Sequence, residues 1–210
     1  RGDLVYSTKG QASGPVSFMR IYDEATGVIV QGGRRRGANM GVLRCDHPDI
    51  IDFINAKTKD GAFSNFNLSV GVTDKFMRAV KADSRFDLIN PRTKRIARTV
   101  KARELFRLIC AAAWKSGDPG LIFLDEINRK NPTPSIGSIE CTNPCGELPL
   151  LPFESCNLGS INLSAIVEKK KISWHQLQRL VRFGVRFLDD VIEMNNFPLP
   201  EIRDITIANR

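Results

Sequence analysis

The sequence predicts an α/β fold with largely parallel strands. Segments with helical spacing alternate along the chain with short apolar or period-two runs, without internal repeats or low-complexity tracts. Met40 to Leu43 and Leu121 to Leu124 are short continuous apolar runs of the kind expected of buried strands. With 210 residues, 42% hydrophobic and 26% charged, the composition is that of a globular domain able to bury a core.

Val16 to Val30 reads as a helix with Phe18, Ile21, Tyr22 and Ala25 on one side, stopped by Gly32 and Gly33. After the strand at Met40, Pro48 suits an early helical position ahead of Ile50 to Ile54. Phe66 to Val72 alternates as a strand does, and Thr73 or Asp74 can cap the helix that follows through Val80. Phe86 to Ile89 and Arg95 to Val100 form two expected strands joined by the turn-forming Asn90, Pro91 and Arg92. Ala102 to Trp114 has helical spacing, ended by Gly117 to Gly120, and the strand at Leu121 comes next. Ser173 is placed to cap a long amphipathic helix carrying Leu177, Leu180, Val181, Phe183, Val185, Phe187, Leu188 and Ile192, which read as core. The chain opens at Arg1 in a polar stretch, and Thr206 to Arg210 could continue as helix. Residues 1–210 are therefore expected to be an internal piece of a larger protein.

There is no run of 18 or more apolar residues and no signal-peptide pattern, so the expectation is a cytoplasmic protein with no membrane association. The five cysteines, at 45, 110, 141, 145 and 156, are too few and too unevenly spaced for a secreted disulfide framework. Cys45 and Cys110 lie in apolar surroundings and read as core. The net charge of +8 suits polyanionic ligands without choosing among them. The basic residues around Arg92 to Arg95, Lys101, Arg103 and Lys169 to Lys171 lack the aromatic interleaving of a single-strand groove.

The chemistry-bearing run is Thr142-Asn-Pro-Cys-Gly-Glu147. In an extended chain Asn143, Cys145 and Glu147 would project to one face. Pro144 and Gly146 argue against a regular central strand and for an extended loop that a ligand can approach. A thiol can lose a hydrogen atom or a proton, a carboxylate can take a proton from a hydroxyl, and an amide can hydrogen-bond a hydroxyl. That set suits radical or acid–base work on a polyhydroxy substrate; the alternative is a buried structural cysteine between a turn Asn and a surface Glu. Cys141, Cys145 and Cys156 could also converge on zinc, but His47 and His175 are remote and the paired-ligand spacing is missing, so no metal site is assigned. A second run, Gln31-Gly-Gly-Arg-Arg-Arg-Gly37, is a glycine-flanked basic turn. It could grip a nucleotide phosphate or base, or be a solvated basic loop.

Several segments together carry a family resemblance. They are Gly117-Asp-Pro-Gly-Leu-Ile-Phe-Leu-Asp-Glu126, Asn131-Pro-Thr-Pro-Ser-Ile-Gly137, Thr142 to Glu147 and Cys156-Asn-Leu-Gly-Ser-Ile-Asn-Leu163, with Ser13 to Met19 and Gln31 to Gly41 upstream. In this order and spacing the chain resembles the catalytic subunit of ribonucleotide reductase, most like the adenosylcobalamin-dependent class. The resemblance implies part of a ten-stranded α/β barrel with a central cysteine-bearing loop at about residues 141–157.

It further implies that Cys145 carries a transient thiyl radical, Glu147 accepts the 3′-hydroxyl proton, and Asn143 hydrogen-bonds the sugar hydroxyls. Asn143, Pro144, Cys145, Gly146 and Glu147 would contact the substrate, and Cys156 would be half of the reducing thiol pair, its partner upstream of Arg1. Gly33, Arg34, Arg35, Arg36, Gly37, Ala38, Asn39 and Met40 would belong to an effector-specificity loop at about residues 31–41. Adenosylcobalamin and deoxynucleotide effectors are the implied cofactors, and a ribonucleotide and a thioredoxin- or glutaredoxin-type reductant the implied partners. The parent would be a homodimer, with a metal-containing radical-generating subunit only in the oxygen-dependent class. The isolated piece would be inactive. The competing reading is a nonenzymatic basic nucleotide- or nucleic-acid-binding module with structural cysteines.

Overall fold

A computed structural model describes the chain except Tyr6, Gly32, Gly33, Arg34, Asp60 and Arg210 and the side chains of Val30, Gln31 and Arg35. Two compact units divide it, Arg1–Leu150 and Leu151–Arg210.

The first unit opens with β1 (Leu4–Val5) paired antiparallel to β2 (Gly10–Gln11). Pro15, whose missing N–H costs nothing in a first turn, starts α1 (Pro15–Val28). This helix ends before the expected Val30, because β3 (Val30–Gln31) is drawn into an antiparallel ladder with β4 (Arg35–Arg36). The expected apolar face is not the packed one: Phe18, Ile21, Tyr22 and Ala25 are exposed. Val16 and Met19 are the side chains that meet the core. Polar contacts complete the docking. Asn39 Nδ2 donates to Thr26 Oγ1 at 2.8 Å and the Asn65 N–H to Asp23 Oδ1 at 2.9 Å.

The α/β expectation holds in the centre of this unit. The chain runs through β5 (Asn39–Arg44), α2 (Ile50–Ile54), β6 (Phe66–Val72), α3 (Asp74–Ala82), β7 (Arg85–Ile89), β8 (Ile96–Lys101), α4 (Ala102–Ser116), β9 (Gly120–Phe123) and α5 (Leu124–Arg129). A parallel sheet forms in the order β5-β6-β9, with Met40 opposite Asn67 and Ser69 opposite Gly120. Among the described residues this sheet is open and three-stranded, and no barrel closes. Leu68, Val70 and Val72 alternate onto one face of β6 and are buried with Cys45, Ile50, Phe53, Phe76, Leu88, Leu105 and Ile109. Phe76 and Phe86 meet edge to face, their centroids 5.0 Å apart.

Local signals explain most boundaries. Thr73 Oγ1 accepts the Phe76 N–H at 3.2 Å and caps α3. The hairpin between β7 and β8 turns on Asn90, whose Oδ1 accepts the N–H groups of Arg92 and Thr93. Pro48 does not open α2; Asp49 takes the N-cap position and helix begins at Ile50. Helix α4 buries Ala102, Leu105, Ile109 and Ala112, a stripe that Cys110 lies about 100° outside. Cys110 is therefore exposed, not core, whereas Cys45 is fully buried.

The first unit closes with β10 (Cys141–Thr142) paired antiparallel to β11 (Pro149–Leu150). In the second unit a 3₁₀ turn, Leu163–Ile166, leads to the hairpin of β12 (Val167–Glu168) and β13 (Lys171–Ile172). Two helices follow, α6 (Trp174–Met194) and α7 (Pro200–Asn209). Ser173 occupies the N-cap of α6 without a side-chain capping bond. Contrary to the core expectation, no residue of α6 is fully buried. Leu177, Leu180, Leu188 and Ile192 are half-buried, while Val181, Phe183, Val185 and Phe187 are exposed. Adjacent pairs such as Leu180 and Val181 point about 100° apart, so one packing face cannot take both.

Candidate functional site

Cys145 sits on the loop of the β10–β11 hairpin. The Gly146 N–H donates to the Asn143 carbonyl at 3.0 Å, closing a turn with Pro144 and Cys145 at its two central positions. Pro144 pre-sets its own φ there, and Gly146 takes φ +84, a left-handed conformation that side chains resist. Asn143 closes the loop twice. Its N–H donates to the Leu148 carbonyl at 3.2 Å, and its Oδ1 accepts the Leu148 N–H at 3.0 Å.

The loop is thus a tight turn rather than an extended run, and the period-two argument for a shared face does not hold. Asn143, Cys145 and Glu147 all lie on the short loop between β10 and β11. Cys145 and Glu147 are exposed and Asn143 is half-buried. Asn143 spends its oxygen on the loop and keeps Nδ2 as a donor, while Glu147 offers acceptors and Cys145 a thiol.

Two asparagines that the sequence reading did not single out hold this hairpin in place. Asn67, on β6, donates through Nδ2 to the Pro144 carbonyl at 2.5 Å. Asn128, on α5, accepts the Ile139 N–H at 2.8 Å and donates to the Ile139 carbonyl at 2.8 Å, gripping the segment that leads into β10. Neither contact has a sequence signal beyond the amide's ability to mimic a backbone group.

The basic turn is described only in part. Gly33 and Arg34 lie outside the described residues, as does the Arg35 side chain; Arg36 is exposed. A Cβ on Gly37 would come within 2.9 Å of Thr26 Cγ2, so glycine allows the turn to pass close to α1. Beyond Ala38, Asn39 and Met40 enter β5 and line a cleft of about 500 Å³ with Met19, Tyr22, Phe66 and Cys141. The end of this segment and the strand before Cys145 therefore share one cavity.

A larger cleft, about 830 Å³, lies at the carboxyl ends of β5 and β9, lined by Arg44, Asp46, His47, Asp125, Asn128 and Glu140 among others. It does not include Asn143, Cys145 or Glu147, and the candidate site is assigned on chemistry rather than volume. Arg44 is committed to Asp46 at 2.9 Å, and that hydrogen bond raises its pKa. Burial lowers the pKa of His47, whose Nδ1 accepts the Asp49 N–H at 3.0 Å.

The cysteines separate by environment. Burial pushes the Cys45 thiol up to about 11, making it a poor nucleophile, and also raises Cys141, which donates to the Thr142 carbonyl at 3.3 Å. Cys156 belongs to the second unit, where it is exposed beside a cleft of about 210 Å³ lined by Ser155, Asn157, Ile192, Phe197 and Thr206. Among the described residues, no three His, Cys, Asp or Glu side chains converge as a metal site, and no helix is long and apolar enough to cross a membrane.

Comparison with known proteins bears on what this hairpin is. The family model for "Ribonucleotide reductase, barrel domain" matches residues 1–210. The chain is 58% identical over 212 residues to a vitamin B12-dependent ribonucleoside-diphosphate reductase of Thermoplasma acidophilum, covering 100% of this chain and 28% of that protein. It is 55% identical over 210 residues to the protein of the same name from Mycobacterium tuberculosis H37Rv, covering 100% and 30%. A vitamin B12-dependent ribonucleotide reductase of Streptomyces avermitilis is 35% identical over 233 residues, covering 97% and 24%. The chain thus spans less than a third of the length of these relatives. An exposed thiol between an amide and a carboxylate, on a hairpin docked to a parallel sheet, lies within a match that takes in every residue: this chain belongs to the ribonucleotide reductase barrel-domain family.

Proposed function

We propose that the protein containing this chain reduces ribonucleotides to deoxyribonucleotides, with Cys145 as the thiol that carries the reacting radical. The observation that supports this most is the placement of Cys145 on a turn whose neighbours, Asn143 Nδ2 and the Glu147 carboxylate, are left available to a sugar. The names of the relatives at 55% and 58% identity favour a ribonucleoside diphosphate as substrate. Family membership across the whole chain weighs against a nonenzymatic binding module.

In this reading the Cys145 thiyl takes the 3′ hydrogen atom from the ribose while Glu147 accepts the 3′-hydroxyl proton. Asn143 Nδ2 orients a sugar hydroxyl, and the backbone of Pro144 and Gly146 lets the ring approach. The 2′-hydroxyl leaves as water and a hydrogen takes its place at C2′, the two protons and two electrons coming from a thiol pair that includes Cys156 and ends as a disulfide, while Glu147 returns its proton to the 3′-oxygen. The hydrogen atom held by Cys145 then returns to C3′. A thioredoxin- or glutaredoxin-type protein would restore the pair. The partner of Cys156, and the remaining strands of a ten-stranded barrel around the cysteine loop, would come from the rest of the protein.

Adenosylcobalamin is the radical source we infer from the relatives' names. The described side chains offer it no cradle: His47 is half-buried with Nδ1 engaged by the Asp49 N–H, and His175 stands exposed on α6. No residue here is assigned to hold it. Gly33 to Met40 would form the effector-specificity loop. Its support is that Asn39 and Met40 share a cleft with Cys141, and that Met40 lies in register with Asn67. Deoxynucleotide effectors, a homodimer and a cytoplasmic location complete the proposal.

The test is product analysis with the full-length protein, a ribonucleoside diphosphate, adenosylcobalamin and a dithiol. Formation of the deoxyribonucleoside diphosphate is expected. Tight nucleotide binding without any product would sink the enzyme reading and favour the binding module.

A further inference from the structure

We infer that Asn67 is a positioning residue for the Cys145 thiol, a role that rests on reading Cys145 as the reacting thiol. Asn67 is the exposed member of β6, a strand otherwise buried. By alternation it shares the face of Ser69 and Gly71, opposite the core-facing Leu68, Val70 and Val72. Its Nδ2 donates to the Pro144 carbonyl at 2.5 Å, and that carbonyl belongs to the peptide joining Pro144 to Cys145. The bond ties the plane that carries the Cys145 Cα to the central strand of the sheet. The other bonds that close the loop, from Asn143 to Leu148 and from Gly146 to Asn143, lie within the loop and do not tie it to the sheet.

The backbone on both sides of Asn67 is itself clamped. Asp118 Oδ1 accepts the Leu68 N–H at 2.9 Å, and Asp118 Oδ2 takes Lys57 Nζ at 2.7 Å. Lys57 Nζ also donates to the Phe66 carbonyl at 2.6 Å. One largely buried ion pair thus fixes the residue before Asn67 and the residue after it. A surface asparagine on a flexible backbone could not aim a loop. This one is held on a central strand between two anchored peptides, so its amide is preorganised toward Pro144.

The experiment uses the full-length protein with Asn67→Leu, which keeps the branched shape but removes the donor, and Asn67→Gln, which restores an amide on a longer arm. Cys145→Ser is run alongside. A misplacement on the order of 1 Å costs about 100-fold, so Asn67→Leu is expected to lower kcat by about 10- to 100-fold. KM for the ribonucleotide should stay within about threefold, because the amide does not contact substrate. Asn67→Gln should recover part of the lost kcat. The inference is overturned if Asn67→Leu turns over at the parent rate. It is also overturned if kcat falls together with a raised KM and a lowered Tm, since that marks general loosening of the fold. The Cys145→Ser arm separates the two readings. Residual turnover there would remove the reacting-thiol assignment, whereas a dead Cys145→Ser beside a fully active Asn67→Leu would remove only the positioning role.

Discussion

Asn143 and Leu148 exchange both backbone and side-chain hydrogen bonds: the Asn143 N–H reaches the Leu148 carbonyl at 3.2 Å while the Leu148 N–H reaches Asn143 Oδ1 at 3.0 Å. One residue therefore sets the width of the loop that displays Cys145, and the same residue keeps a free amide N–H₂ for a ligand. The loop's shape and its proposed chemistry are coupled through that side chain.

Glu147→Gln in the full-length protein removes the proton acceptor while keeping the size of the side chain. Glu147 is exposed on the loop, so the change should leave folding intact. A general base contributes about 10²- to 10⁴-fold, and kcat is expected to fall by that range with little change in KM. Equal turnover in steady-state assays of the two proteins would reject the assigned role.

Gly146→Ala probes the turn itself. Gly146 has φ +84 with open space where a Cβ would go, so the penalty is conformational rather than steric crowding by neighbours. Forcing an L residue into the left-handed region costs roughly 1–2 kcal/mol, enough to redistribute the turn and lower turnover. Gly146→Asn should lose less of both, because Asn tolerates that region. Chemical denaturation and turnover of the two variants would check the order; an alanine variant as stable and active as the parent would contradict the geometry.

His47 gives the fold a pH dependence. Burial lowers its pKa from the usual 6.5, and Nδ1 must stay unprotonated to accept the Asp49 N–H. The unfolded chain therefore binds the proton first as pH falls. The stability associated with neutral His47 is complete above 6.5 and is lost on acidification through the window between 6.5 and its lower folded value. Tm measured from about pH 7.5 to 5.5 should drop more for the parent than for His47→Asn, whose Oδ1 can accept the same N–H without titrating. Parallel Tm curves would show that His47 contributes nothing in that window.

The legible and illegible parts of this molecule divide by the range of the interactions. Thr73 at the head of α3, the Asn90 turn between β7 and β8, and the alternation of β6 are signals within a few residues, and each is read correctly from the chain. The Asn-Pro-Cys-Gly-Glu run around Cys145 forms a tight turn and not the extended geometry inferred for it. The run of Pro144 and Gly146 could as well have been read as a turn, and that is what forms. Asn67 meets Pro144 across 77 residues, and Asn128 meets Ile139 from a separate helix; no local pattern encodes either. Periodicity also over-counted the core: it marks an apolar stripe on α1 or α6 but not whether another element covers it.

Cys145 is the proposed reacting thiol, and the most direct measurement compares turnover of Cys145→Ser with that of Cys110→Ser in the full-length protein. Cys110 is an exposed cysteine on α4 with no part in the proposed site, so its variant controls for the loss of an accessible thiol. Deoxyribonucleotide formation should vanish in Cys145→Ser, because a hydroxyl cannot take over the thiol's hydrogen-atom transfer, and should persist at the parent rate in Cys110→Ser. Deoxyribonucleotide produced by Cys145→Ser at a rate near the parent's would contradict the account.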